Sequence, residues 1–378
     1  MKLALLVPGG VDRGGTHRVI PCILWLIERL AAGNEVHVFA LAQEPEPGRW
    51  PLLGAQVHNA GRRPRRGRML AQLVAEHRRG RFDVLHAFWA APCGVVAAAA
   101  GPVLGVPVLL HLAGGDLARL PEIGYGGRND ARGRLWARVA ANGATRIIAP
   151  STFIVEQARA LGIEAGRVPF GVALDRWPPR APRRRTPGVP ARLLHVGSLN
   201  AVKDQETLLR AASALRESGV RFTLDVIGGD TLGGAVQRRS AEMGLGDAVR
   251  FHGFLPHHEL RPWVDGADLL VVTSRHEAGP LVLLEAAVAG VPTAGTAVGH
   301  LADWAPAAAA AVPVDDADAL AREIARLLAD EDARLRMAAR AQERAVAEDA
   351  DFTAREILRI YAELATMRKA RAQGSKTE

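Results

Sequence analysis

LLVVTSRHEAGPLVLLEAAVAGVPTAGTA, residues 269–297, is the stretch whose reading decides the fold. Its opening apolar run, ending near Ser274, reads as a short buried strand. RHEAGP is then the loop at the strand's carboxyl end. LVLLEAAVAG reads as a helix, and Gly290 and Pro292 mark its stop. Pro280 suits the first turn, where its missing N–H would have had no partner, so a helix is predicted over 280–289. VPTAGTA begins another strand. Strand, loop, helix, strand is the repeating unit of a doubly wound parallel sheet.

The helix in this stretch is apolar on all sides except at Glu285, and such a helix is buried. A buried carboxylate is costly unless something polar meets it. Two partners are open: an arginine or backbone group of the protein, or a pair of ligand hydroxyls. An acid near such a helix accepts from the hydroxyls of a ribose in dinucleotide-binding sheets. Glu277 stands in the loop at the sheet's mouth, either solvated or facing a polyhydroxyl ligand. The backbone N–H groups of Gly279, Leu281 and Val282 point out of the helix start, an end that attracts phosphate.

Outward from this unit the same rhythm covers the chain. KLALLVP, NEVHVFALA, RFDVLHAF, VPVLLHLAGG and GATRIIAPS read as strands alternating with helices in the first half. ARLLHVGSL, RFTLDVIGG, VRFHGFL and ADLLVVTS do so in the second, and three helices close the chain, the last over 351–369. The expected fold class is α/β, with two doubly wound Rossmann-like domains facing a central cleft. The boundaries predicted are 1–177 for the first domain, a Pro- and Arg-rich linker over 178–191, and 192–350 for the second.

Composition agrees with this class. The 378 residues are 48% hydrophobic, enough for two cores. Two cysteines far apart, Cys22 and Cys93, suggest neither disulfides nor a metal site. The apolar run Leu3–Val7 is too short for a signal-peptide core, and a cytoplasmic location is expected. Residues 87–115 carry no charge, yet Pro92, Pro102 and Pro107 interrupt them, so they read as core rather than a membrane span. The formal charge is +8, with arginines concentrated at 61–70 and 178–192, both read as loops. Aromatics are only 5% and do not interleave with the arginines, which disfavours nucleic acid as a partner. Anionic lipid, a phosphorylated substrate, or a solvated surface remain open for these arginines.

A second phosphate contact is expected in HVGSLNAVKDQETLLRA, residues 195–211. The strand ends near Gly197 and a helix starts near Asp204. Lys203, at that junction, is placed to neutralise a diphosphate. DDADALA, residues 315–321, contains a DxD string, but Asp316 or Asp318 reads better as a helix N-cap. His257, His258 and Glu259 read as a solvated loop rather than a metal site.

Glu277 and Glu285, followed by AVAGVPTAGTAVG, resemble the E-x7-E motif of the retaining glycosyltransferases of family 4, which have the GT-B fold. GGTHRVIPCILWLIERLAAGNEVHVF (14–39), HLAGGD (111–116), RVPFGVALDRW (167–177) and VGSLNAVKD (196–204) are similar to other motifs of that family, in order and spacing. The resemblance implies that Glu285 holds ribose hydroxyls and Glu277 those of the donor sugar. It implies that Lys203 contacts the diphosphate, that Gly15 lets the backbone approach the phosphates or the acceptor, and that His111 faces the donor sugar. Ser198 stands at a phosphate-motif position where the family commonly has arginine, Pro280 removes one amide from the phosphate cradle, and Phe170 replaces a common asparagine. The resemblance also implies a final helix that packs back on the first domain.

The expected activity is retaining transfer of a sugar from a nucleoside-diphosphate sugar to an acceptor hydroxyl, with no metal or other cofactor. The acceptor is expected to be carbohydrate, lipid-linked or phosphorylated, with peripheral contact to an anionic membrane through residues 61–68. The rival readings are a nucleotide-sugar epimerase of similar fold and a non-catalytic nucleotide-sugar binder. A dinucleotide-dependent dehydrogenase is disfavoured, since no GxGxxG follows the first strand.

Overall fold

The computed structural model describes residues 1–374. The chain forms two compact units, one of Met1–Phe170 with the chain from Ala350 onward, the other of Gly171–Asp349.

Unit 1 opens with β1 (Lys2–Val7), α1 (Pro21–Ala31) and β2 (Glu35–Ala40). The hairpin β3 (Gly48–Leu52) and β4 (Ala55–Asn59) follows, then α2 (Arg65–Arg79) and β5 (Val84–Phe88). The unit continues through α3 (Val95–Leu104), β6 (Val108–His111), α4 (Ala131–Asn142), β7 (Arg146–Ala149), α5 (Thr152–Arg159) and β8 (Gly166–Arg167). The sheet order is β3-β4-β2-β1-β5-β6-β7-β8, and β3 alone runs antiparallel to its neighbour. Residues 87–115 supply the end of β5, α3 and β6, as the uncharged core reading requires. Among the described residues no helix is long and apolar enough to cross a membrane.

Two elements of unit 1 differ from expectation. The hairpin β3–β4 was not predicted. Its turn is Leu53-Gly54 with both φ positive, at 49° and 81°, a conformation usually signalled by Asn-Gly rather than Leu-Gly. The arginine cluster at 61–70 is a loop only as far as Pro64. From Arg65 it is the first turn of α2, whose Met69, Leu73 and Glu76 are buried on one face. Long arginine side chains leave the opposite face in water, so a charge run and an amphipathic helix coexist.

Unit 2 runs β9 (Ala191–Val196), α6 (Gln205–Glu217), β10 (Phe222–Ile227), α7 (Ala235–Glu242) and β11 (Val249–Gly253). It continues with α8 (Arg261–Gly266), β12 (Leu269–Val272), α9 (Leu281–Val288), β13 (Thr293–Thr296), α10 (His300–Trp304) and β14 (Ala310–Val312). Helices α11 (Ala317–Ala329) and α12 (Glu331–Ala347) close it. All six strands are parallel, in the order β11-β10-β9-β12-β13-β14. The order reverses between β9 and β12, so the loops at the carboxyl ends of these two strands flank the topological switch point, the usual ligand position in such sheets.

The segment 178–190 lies outside the helices and strands, but arginines strap it to unit 2. Arg183 Nη2 donates to the Gly266 carbonyl at 2.7 Å and lies 3.0 Å from Asp268 Oδ1. Arg185 Nη1 donates to the Leu328 carbonyl at 2.9 Å, and Arg184 pairs with Asp332 at 2.6 Å. The fully buried Arg334 donates to the carbonyls of Arg183 and Asp268. The division between units therefore falls at Phe170 and Gly171, ahead of the expected linker, because each guanidinium finds fixed acceptors in unit 2.

The final helix, α13 (Ala350–Gly374), belongs to unit 1, as the family resemblance implies. Its Ala354, Ile357, Ile360, Tyr361 and Leu364 share one hydrophobic core with β1 and α1. Tyr361, fully buried, makes a 2.6 Å hydrogen bond between its hydroxyl and His86 Nδ1. Thr353 donates to the Pro169 carbonyl at 2.8 Å, and Arg29 pairs with Asp351.

Two predictions follow from this packing. His86 Nε2 has no hydrogen-bond partner among the described residues, so Tyr361→Phe leaves the buried ring with none there. The variant is expected to lose about 1–3 kcal/mol of stability, read as a fall of a few degrees in the melting temperature. Burial also pushes His58 and His195 down to about 4 and His111 to about 3. These rings bind protons more weakly folded than unfolded, so their contribution is present above the ordinary histidine range and is lost as pH falls towards 4. Asp116, pushed up to about 6 by burial, acts in the opposite sense between its unfolded value and 6, but it is one group against several. The melting temperature is expected to fall steadily as pH is lowered from 7 to 4.5, and a flat profile would contradict the assignment of neutral rings.

Candidate functional site

The loop after β9 is built to present Lys203. Asn200 Oδ1 accepts from the Lys203 amide at 3.0 Å. Asp204 next to it has φ of 51°, a conformation that Asp tolerates. Its side chain caps α6 by accepting from the Thr207 amide. His195, buried in β9, points Nδ1 at the Val271 carbonyl at 3.0 Å and Nε2 at the Gln205 amide nitrogen at 3.2 Å. These partners assign the proton to Nδ1 and a neutral ring, in keeping with its depressed pKa. Gln205 also donates to the Ser198 carbonyl at 3.1 Å. Ser198 itself is exposed at the strand end.

The loop after β12 is stitched to the first. Thr273 Oγ1 donates to the Lys203 carbonyl at 2.9 Å, the Arg275 amide to the Val202 carbonyl at 2.8 Å, and Arg275 Nε lies 3.1 Å from Asp204 Oδ2. This stitching brings Lys203 Nζ to 2.5 Å from Glu277 Oε1, and Ser274 Oγ donates to the same oxygen at 2.6 Å. Both members of the ion pair are partly open to solvent, with side chains 24% and 15% exposed. The two residues expected at the diphosphate and the sugar thus meet each other across the switch point.

Helix α9 starts at Leu281, with Pro280 in the N-cap position at ψ of 117°, one residue later than predicted. Proline just outside the helix still deletes no hydrogen bond, since the amides at a helix start have no partner within it. Gly279 precedes it against α10. A Cβ there would stand 2.7 Å from His300 Nε2, so no other residue fits without displacement. The amides of Leu281 and Val282 head the helix.

Glu285 is 2% exposed. Its partner is a side chain that the sequence reading left in a solvated loop: His257 Nε2 lies 2.5 Å from Glu285 Oε1. His257 opens a short 3₁₀ turn at His257–Glu259. Its ring stacks on Trp177 with centroids 5.5 Å apart, and Trp177 Nε1 donates to the Glu285 carbonyl at 3.0 Å. The open question of Glu285's partner is answered in part by a protein group, although a histidine rather than an arginine. No periodicity links residues 177, 257 and 285, and only the histidine itself, beyond a strand end, hinted at a role.

In unit 1 the order reverses between β1 and β5, and Gly15 lies in the loop after β1 with φ of 64°. Its amide closes a turn on the Asp12 carbonyl at 3.0 Å. A Cβ at Gly15 meets no atom closer than 3.6 Å, so the glycine is required by backbone conformation rather than by crowding. His111 ends β6 and is fully buried. Its ring lies against Phe170 at 4.3 Å and 9°, with Phe88 and His86 further along the same stack. Neither ring nitrogen has a hydrogen-bond partner among the described residues. His111 is stacked against Phe170, the residue that replaces the common asparagine. A ligand reaches the ring only if Phe170 moves aside.

The acids at and before the DxD string meet protein groups. Asp316 caps α11 by accepting from the Ala319 amide at 2.8 Å, and Asp315 pairs with Arg275 and Arg210. A third grouping, His37, His58 and Glu76, is buried in unit 1. Its rings hydrogen-bond each other at 2.9 Å, whereas two nitrogens on one tetrahedral zinc stand roughly 3.3 Å apart. Lys2 and Arg79 already neutralise Glu76, at 3.3 and 3.0 Å, so this is an ion-pair and hydrogen-bond network.

Comparison with known proteins agrees with the division into units. A family model described as glycosyl transferases group 1 matches residues 182–344, and one described as a glycosyl transferase 4-like domain matches 19–171. The D-inositol 3-phosphate glycosyltransferase of Frankia alni is 33% identical over 251 residues, 60% of this chain and 60% of that protein. The D-inositol 3-phosphate glycosyltransferase 1 of Catenulispora acidiphila is 30% identical over 381 residues, 88% of this chain and 86% of that protein. Against the Frankia alni protein and a second Catenulispora acidiphila relative, the chain spans about 60% of the relative's length. Sucrose-phosphate synthase from Thermosynechococcus elongatus superposes with a TM-score of 0.82 at 22% identity, covering 97% of this chain and all of that one. Alr3699/HepE of Anabaena, solved with UDP-glucose, gives 0.73 at 18% identity over 96% of this chain and 100% of its own. Two α/β units, a lysine and a glutamate meeting at the switch point of the second, and likeness over 88% of the chain to a relative at 30% identity lead to one assignment: the chain belongs to the glycosyl transferases group 1 family, with the GT-B fold class.

Proposed function

We propose that this chain transfers a sugar from a nucleoside-diphosphate sugar to an acceptor hydroxyl, with retention at the anomeric carbon. The observation that carries the reading is the contact of Lys203 with Glu277 at the unit 2 switch point, one helix start away from the buried Glu285. In the free chain these opposite charges neutralise each other. A bound donor supplies the substitutes: its diphosphate takes the ammonium, and its sugar hydroxyls take the carboxylate. The amides of Leu281 and Val282 add a helix N-terminus to the diphosphate site. Ser198 supplies no charge, so Lys203 is the principal cation from these loops.

The departing diphosphate carries the developing negative charge of an oxocarbenium-like transition state. Glu277 is committed to Lys203 and Ser274, and Glu285 to His257, which suits roles in binding rather than a nucleophile-and-acid pair. Attack from the face that the diphosphate leaves is the mechanism this supports. We propose that no metal is needed: Asp316 of the DxD string is engaged as a helix cap, and the preceding Asp315 in ion pairs. The relatives' names point to a phosphorylated polyol as acceptor, and the solved neighbour with UDP-glucose points to a uridine donor.

The test is a thermal-shift panel of UDP-, GDP- and ADP-sugars and their free diphosphates, with and without chelator. One nucleotide series is expected to stabilise the chain by RT ln(1 + [L]/Kd), insensitive to chelator. Lys203→Ala and Glu285→Gln are each expected to fold normally and to lower transfer by about two orders of magnitude or more. Absence of any shift, or full activity in Lys203→Ala, would overturn the reading. The exposed Arg62, Arg63 and Arg65 are proposed to meet an anionic membrane. Co-sedimentation with phosphatidylglycerol vesicles should weaken with salt and be lost in the charge-reversed triple variant.

A further inference from the structure

We propose that His257 is the positioning residue for Glu285, fixing and aiming its carboxylate so that a ribose diol can be accepted. The inference rests on the nucleotide-sugar reading above and goes beyond it by assigning a residue that no motif marks.

Three observations carry it. First, the only hydrogen bond to the Glu285 carboxylate among the described residues comes from His257, at 2.5 Å to Oε1. A carboxylate at 2% exposure inside an apolar helix has no other protein group to fix its charge or its rotamer. Second, the frame that places the imidazole is attached to Glu285 itself. The ring stacks on Trp177 at an interplanar angle of 27°, and the Trp177 indole donates to the Glu285 backbone carbonyl. Arg261 lies 5.1 Å from the Trp177 ring centroid and donates to the Pro178 carbonyl at 2.7 Å, which fixes the tryptophan and its chain in turn. Third, the arithmetic of lone pairs leaves room for a ligand. A carboxylate offers about four acceptor sites, and His257 uses one of them, on Oε1. Two vicinal hydroxyls still find acceptors across Oε1 and Oε2.

A rival role for the same geometry is a plug, in which His257 competes with the ribose and must leave. The two roles predict opposite signs. If His257 positions the carboxylate, its removal weakens ribose binding. If it plugs the site, removal strengthens it.

The experiment uses the full chain as wild type, His257→Ala, His257→Gln and Glu285→Gln. UDP, GDP and ADP are titrated by calorimetry, and the one that binds is compared with its 2′-deoxy and 3′-deoxy forms. His257→Ala is expected to weaken the ribonucleoside diphosphate about tenfold, a difference of about 1.4 kcal/mol. It should change the deoxy forms far less, so that discrimination between ribose and deoxyribose collapses. His257→Gln, whose amide nitrogen can reach the position of Nε2, is expected to recover most of that discrimination, which a merely structural role would not produce. Unchanged or tighter binding in both His257 variants, with Glu285→Gln still defective, would overturn the positioning role and leave the ribose reading standing. If no nucleoside diphosphate binds the wild type, or if Glu285→Gln binds as the wild type does, the ribose reading falls and the inference with it.

Discussion

A carboxylate placed in an apolar helix sets conditions on everything around it. Glu285 is enclosed by the buried residues of α9, and an isolated charge there would be too costly to keep. The solution is local and specific: an imidazole from the 3₁₀ turn, an indole from the turn at residues 174–177, and a hydrogen bond from that indole to the same residue's carbonyl. Replacing Glu285 by an apolar residue would be the simpler way to fill such a helix. Under the function proposed above, a ligand that needs an acceptor accounts for a carboxylate at this place better than stability does.

The same logic governs the Lys203–Glu277 pair at the neighbouring loop. Neither charge is deeply buried, and the pair is anchored through main-chain hydrogen bonds that tie the two loops together. A partly exposed ion pair contributes little to stability. In the function proposed above, the pair holds a cation and a carboxylate at one point, each satisfied by the other until a ligand offers better partners.

Unit 1 solves a different problem. Its core holds neutral histidines within an aromatic cluster that links Tyr361, His86, Phe88, His111 and Phe170. Burial favours the uncharged ring in each case. Helix α13 completes this core, so the C-terminal segment is a structural part of the N-terminal unit.

Much of this was legible from local patterns. Apolar runs, helix stops such as Gly290 and Pro292, and the N-cap at Asp316 are consequences of backbone sterics and near-neighbour burial, which act over a few residues and therefore leave a trace in the chain order. The α/β rhythm and the two-unit plan followed from them, and the family motifs singled out Lys203, Glu277 and Glu285. The Leu53-Gly54 turn, the helical start at Arg65 and the anchoring of residues 178–191 escaped, because each depends on partners that local composition does not reveal. What only the tertiary structure decided is who meets whom. Lys203 and Glu277, 74 residues apart, touch because β9 and β12 are neighbours in the sheet. His257 and Trp177 enclose Glu285, and Phe170 covers His111, because packing brings together residues whose separation along the chain has no period. Periodicity records which face of an element is buried, but the identity of the group that answers a buried charge is a property of the assembled fold.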